Sequence, residues 1–213
     1  MVIVGCYWHS SAANSELIIE CIDDQDHSWM GPIFPATSQS ISGFSSVANP
    51  TAADMALVRN GLQSVLNELH QHGHRQLLIR EKTFTRNAPP VHVVGFRGQL
   101  AATQLTRNVK DEIHNFGVAN QIIVEEVEDL PTNRATNKKG NYLRAVNGLF
   151  TLCLGTMSRD QKMAVCVALK IANGKQHLTT TANKIIRGWG ARSNIAMGRA
   201  NITQQRTQLL SVI

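Results

Sequence analysis

Acidic side chains nearly vanish from the later part of this chain. Residues 131–213 hold one, Asp160, against thirteen lysines and arginines, whereas residues 1–130 hold fourteen acids and eight basic residues. The net charge of +6 is thus a sum of −6 and +12. Ordinary solvated surfaces mix the two signs, and a stretch so poor in acids favours a polyanionic partner, of which nucleic acid is the commonest.

Other scarcities bound the chemistry. No apolar run approaches the ~20 residues of a membrane helix, and the opening MVIVGCYWHSSAANSE lacks the basic start and long apolar stretch of a secretory signal. The cysteines are four, Cys6, Cys21, Cys153 and Cys166, each alone in an apolar segment with no CxxC or CxxH. They read as reduced core thiols, and the expected setting is cytoplasmic, bacterial or viral. Gly-rich phosphate loops, GxSxG and HExxH are missing, as is any internal repeat. A hydrophobic content of 43% with 17% charged residues still describes a chain able to bury a core.

The pattern along the chain predicts an α/β fold. Val2 to Tyr7 and Glu16 to Ile22 are apolar runs suited to a hairpin, and Trp29 to Phe34 suits a short third strand. Ser38 to Pro50 reads as loop. Asn49-Pro50-Thr51 offers a helix start, with apolar residues from Ala53 to Leu69 at helical spacing and Gly73 as the stop. Gln76 to Ile79 predicts a buried strand leading into Arg80-Glu81-Lys82. Beyond Pro89-Pro90, a helix from Val94 to His114 stopped by Gly117 precedes a strand from Val118 to Val127. Tyr142 to Leu154 again has helical spacing. Ser158 is placed to cap a helix from Arg159 to Ala172, closed by Asn173-Gly174. Residues 1–172 would form the α/β domain and residues 173–213 a basic extension.

This order of elements resembles the ribonuclease H-like fold, a mixed sheet flanked by helices, and its RuvC-like (Holliday-junction resolvase) branch in particular. Three segments carry the resemblance. QLLIREKTF places Glu81 at a strand end with Phe84 three residues on and Asn87 shortly after. GFRGQLAATQL is similar to the family's glycine-containing helix. SRDQKMAVCVAL is similar to its late helix, where an acid, here Asp160, precedes an Ala-rich run. The resemblance implies a two-metal Mg²⁺ site, with ions roughly 3.5–4 Å apart held by three or four carboxylates, and Glu81 and Asp160 as catalytic residues and metal ligands.

The sequence departs from that pattern at two ligands. No acid lies between Met1 and Ser15, so the first-strand carboxylate is replaced at about Tyr7, and the second acid of the late helix falls on Met163. Glu16, Glu20 and His9 are the candidate substitutes nearby. Two other constellations read as structural: His70, His72 and His74 suit a helix C-terminus, where the dipole favours positive charge, and Glu125, Glu126, Glu128 and Asp129 suit a solvated strand end.

For nucleic-acid binding the candidates are Arg134, Lys138, Lys139 and Arg144 around a strand-to-helix loop, and Lys184, Arg187, Trp189 and Arg192 in the extension. Loops of the first kind gather at the ligand-binding end of α/β sheets, and an aromatic amid cations suits an unpaired base. The leading expectation is a nucleic-acid-binding protein on a ribonuclease H-like scaffold with decayed catalytic carboxylates. One alternative is an active Mg²⁺-dependent RuvC-like endonuclease. The other is a viral coat or complex subunit whose basic tail holds nucleic acid. Expected partners are DNA or RNA, with a homo-oligomer or larger complex left open, and no membrane.

Overall fold

The structure is a computed structural model that describes residues 1–10, 15–24, 34–45, 50–83, 96–127 and 158–170. Its centre is a mixed five-stranded sheet in the order β3-β2-β1-β4-β5. The strands are β1 (Val2–Ser10), β2 (Ser15–Asp23), β3 (Gln39–Ile41), β4 (Leu77–Thr83) and β5 (Ile123–Glu126). β1 pairs antiparallel with β2 and parallel with β4, β2 pairs antiparallel with β3, and β4 pairs parallel with β5. The helices are α1 (Ala52–Gln71), α2 (Phe96–Ala119) and α3 (Arg159–Leu169). An α/β class with a mixed sheet and flanking helices follows.

Helices cover both faces of β1, which is why its apolar run shows no polar alternation. On one face Val2, Val4, Cys6 and Trp8 join Leu17, Ile19, Cys21 and Ile79 against α1 and α2, through residues such as Leu62, Val65, Val109 and Ile113. On the other face Gly5 meets α3 so closely that a Cβ built there would overlap the Ala164 carbonyl oxygen. Burial of this apolar surface stabilises at about 25 cal/mol per Å² removed from water.

Local signals set the boundaries. Thr51 and Asp54 form a reciprocal capping box that starts α1, and the Asp54 carboxylate also accepts bonds from the Ser45 amide and hydroxyl. Gly73, at φ +82°, ends that helix turn as expected. Ser158 and Gln161 make a second capping box at the start of α3.

Four expectations change. The third strand is Gln39–Ile41, inside the stretch read as loop, behind a 3-10 turn at Pro35–Thr37. It is three residues long, too short to display a period. The segment 29–33 lies outside the described residues. β4 runs on to Thr83, so Glu81 sits within the strand and not past its end. α2 passes through Gly117 to Ala119, because that glycine serves close packing: a Cβ would stand 2.8 Å from the Ile122 carbonyl oxygen. β5 consequently starts only at Ile123. The described part of the last helix ends at Leu169, with Lys170 in the left-handed region at φ 49°. The expected helix over 142–154, the boundary after residue 172 and the whole basic extension lie outside the described residues. No helix among the described residues is long and apolar enough to cross a membrane.

Candidate functional site

Glu81 is a charged residue in the middle of a core. It is fully buried in β4, next to Cys6 of β1 in the parallel register, and so shares the sheet face that α2 covers. Two side chains one helical turn apart on α2 reach it. His114 Nε2 lies 3.3 Å from Glu81 Oε1, and Lys110 Nζ lies 4.0 Å from the same oxygen. Lys110 also binds Glu126 Oε2 of β5 at 2.5 Å. The other carboxylate oxygen, Glu81 Oε2, and the hydroxyl of Thr83 are both buried, and neither makes a well-formed hydrogen bond among the described residues.

Burial drives the electrostatics here. It pushes the Glu81 carboxyl above its ordinary value of 4.5, and the His114 bond, the nearby Thr83 hydroxyl and the Lys110 charge offset only part of the shift. The bond to Glu126 pushes Lys110 up, which keeps it an ammonium. Burial first, and the Glu81 charge second, push the Cys6 thiol up, so it stays protonated.

Asp160 belongs to a different place. It lies in the first turn of α3, where negative charge suits the helix dipole, and its Oδ2 is 3.3 Å from His9 Nδ1 at the end of β1. His9 shares its sheet face with Gly5, the face that α3 covers, because alternate residues of a strand point the same way. Glu81 and Asp160 are therefore on opposite sides of the sheet. The structure does not bring the two expected metal ligands together.

The positions of the two missing acids are filled by core. Tyr7 and Met163 are both buried. Of the candidate substitutes, Glu20 is fully buried on the α3 side and accepts a 2.8 Å bond from Ser38, which Gln161 of α3 also approaches. Glu16 stands opposite His9 in the β1–β2 register and is held by the Ser40 hydroxyl.

A two-metal site would need hard oxygen ligands converging from several elements. The groups around Glu81 are an ammonium, an imidazole, a neutral thiol and the Glu126 carboxylate, which Lys110 already holds, and this set does not fit a magnesium ion. Among the described residues no three His, Cys, Asp or Glu side chains are grouped so as to hold a metal.

The remaining constellations have plain partners. His72 pairs with Glu68 at 3.5 Å and packs on Phe34, ring centroids 4.0 Å apart, with His74 at 6.0 Å from the same ring. Glu125 points to the α3 side, where Lys170 at 2.7 Å and Arg80 at 3.1 Å hold its carboxyl below the ordinary range, Lys170 contributing most. Arg80 also caps α3 by donating to the Ala168 carbonyl. Glu128 and Asp129 lie outside the described residues, and so do Arg134, Lys138, Lys139, Arg144, Lys184, Arg187, Trp189 and Arg192.

Lys110 and His114 were not singled out from the sequence. Their signal was present, since residues four apart share a helix face. What the sequence did not supply was the strand that this face meets.

No protein-family model, no curated protein and no solved structure matches the chain.

Proposed function

We propose that this chain is a nucleic-acid-binding protein built on a ribonuclease H-like scaffold whose catalytic carboxylate set is incomplete. Its basic C-terminal part would lie along the phosphate backbone through Arg134, Lys138, Lys139, Arg144, Lys184, Arg187 and Arg192, with Trp189 stacking on a base.

The observation that carries the reading is the separation of charge. Residues 1–130 hold eight basic and fourteen acidic side chains, while residues 131–213 hold thirteen basic and one acidic. An acidic first part gives a polyanion little to bind, and the attraction is concentrated in residues 131–213. Two further features support it. The element order of hairpin, third strand, helix, Glu81-bearing strand, helix, strand and Asp160-bearing helix is the order on which the resemblance was based. Glu81 meets the protein's own cations on one face of the sheet, and Asp160 meets His9 on the other.

The test is binding and cleavage on one set of labelled substrates: single-stranded, duplex and branched DNA, and single-stranded RNA. Binding should persist in EDTA, weaken steeply with salt and leave the substrate whole. Cutting that requires Mg²⁺ or Mn²⁺ and disappears in both Glu81→Ala and Asp160→Ala would overturn the reading in favour of an active endonuclease. A large ordered particle in size-exclusion chromatography, formed only with nucleic acid, would favour a coat or assembly subunit instead.

A further inference from the structure

β5 closes one side of the sheet and is fastened largely by charge. It is four residues long, pairs with residues 78–81 of β4, and no further strand lies beyond it among the described residues. On the α3 side Ile123 is 70% exposed, so apolar contact gives that face little hold, and Glu125 makes the attachment instead. Its carboxylate meets Lys170, just past the end of α3, at 2.7 Å, and Arg80 of β4 at 3.1 Å. On the α2 side Val124 is only partly buried where it packs on the core, and Glu126 binds Lys110 of α2 at 2.5 Å. Two consecutive acids of one strand are thus gripped from opposite faces by the protein's own cations. β1 differs, because apolar residues and the close approach of α3 bury it on both sides.

We propose that β5 is an ion-latched edge strand, which comes away from β4 as a unit when salt screens Glu125 and Glu126 from their cations, while β2, β1 and β4 stay paired. The side chains of Glu125, Glu126 and Lys170 are 36%, 38% and 48% exposed, so water and dissolved ions reach the latch. Pairs of this kind weaken as ionic strength rises, whereas apolar contact has no charge to screen. Opening breaks the ladder on residues 78–81, together with the bond from the Val127 amide to the Glu81 carbonyl just beyond it. It frees the outer edge of β4, whose backbone groups can then pair with another strand. Local openings of this sort draw on the least stable parts of a fold, and a short strand held by exposed ion pairs is such a part.

Hydrogen exchange of the full chain, free of nucleic acid, would be followed at about 0.05 M and about 1 M NaCl, a range over which screening becomes strong. The amides of β5 that bond to β4 should lose protection about tenfold at the higher salt, as expected when three partly exposed ion pairs are screened. The amides of β1 should keep theirs. A chain carrying both Glu125→Gln and Glu126→Gln should show the loss already at low salt, with no further change at high salt. The proposal is overturned if β5 is equally protected at both salt concentrations, since its ladder and Val124 would then suffice to hold it. It is equally overturned if β1 and β5 lose protection together, or if the double variant keeps both the protection and the salt response. The wild-type comparison decides the matter even if the double variant does not fold.

Discussion

Gly5 of β1 and Ala164 of α3 are in such close contact that the glycine has no room for a side chain. A Cβ would overlap the Ala164 carbonyl oxygen and stand 2.8 Å from the Ala168 Cβ. This backbone-on-backbone approach fixes the distance of α3 from the sheet, and with it the pairing of Asp160 with His9. Gly5→Ala must push the helix outward. Overpacking of this kind typically costs ~1–3 kcal/mol. Urea denaturation should show a lower midpoint with an unchanged slope, and the helix's other tie, Arg80 to the Ala168 carbonyl, should not restore it.

On the opposite face, the buried Trp8 indole donates to the Thr106 hydroxyl at 3.0 Å, joining β1 to α2. Thr106→Val keeps the shape and strands the N–H, at a cost of roughly 1–3 kcal/mol. Trp8→Phe removes the donor as well, so the double variant should lose less than the two single losses added together. A double-mutant cycle in urea checks the coupling, and strict additivity would contradict the bond.

Glu81 gives stability a pH dependence of defined sign. Burial raises its carboxyl in the folded state above the ordinary 4.5, so between those values the folded chain holds more protons than the unfolded one. Stability from this group therefore falls as pH rises through 4.5 toward the raised value. Glu81→Gln cannot titrate. Relative to wild type it should gain stability as pH is taken from 4 to 7, as measured by chemical denaturation at several pH values. A difference that shrinks with rising pH would mean that the folded carboxyl is held below its ordinary range, against the burial seen here.

How far the sequence reached is clear from particular residues. Thr51 and Ser158 were legible as two helix starts, because capping is local chemistry, whereas their reciprocal partners Asp54 and Gln161, three residues on, were not read. The β1–β2 hairpin was readable from two apolar runs of matching length. β3 was not, since three residues carry no period and its place is set by the partner strand. Gly117 misled for a physical reason: glycine ends helices and also permits close approach, and only the position of Ile122 and Val124 tells which. Glu81 was legible as an acid on a strand. Its meeting with Lys110 and His114 depends on which helix face lands on β4, and that is a property of the assembled sheet.

The charge separation leads to the last prediction. If the basic residues of 131–213 hold the phosphate backbone, each phosphate neutralised releases counterion, and log Kobs falls with log salt at about −0.9 per contact. Six to eight contacts give a slope on the order of −5 to −7 on duplex DNA. Removing residues 173–213 takes away six of the basic side chains, among them Lys184, Arg187 and Arg192. Fluorescence anisotropy at several salt concentrations should then show both weaker binding and a shallower slope, with little dependence on base sequence. Arg134→Ala, Lys138→Ala, Lys139→Ala and Arg144→Ala combined should reduce the slope again in the shortened chain. An affinity and slope unchanged by the truncation would place the binding surface elsewhere. Lost binding with an unchanged melt is the outcome that assigns these cations to nucleic acid and not to the fold.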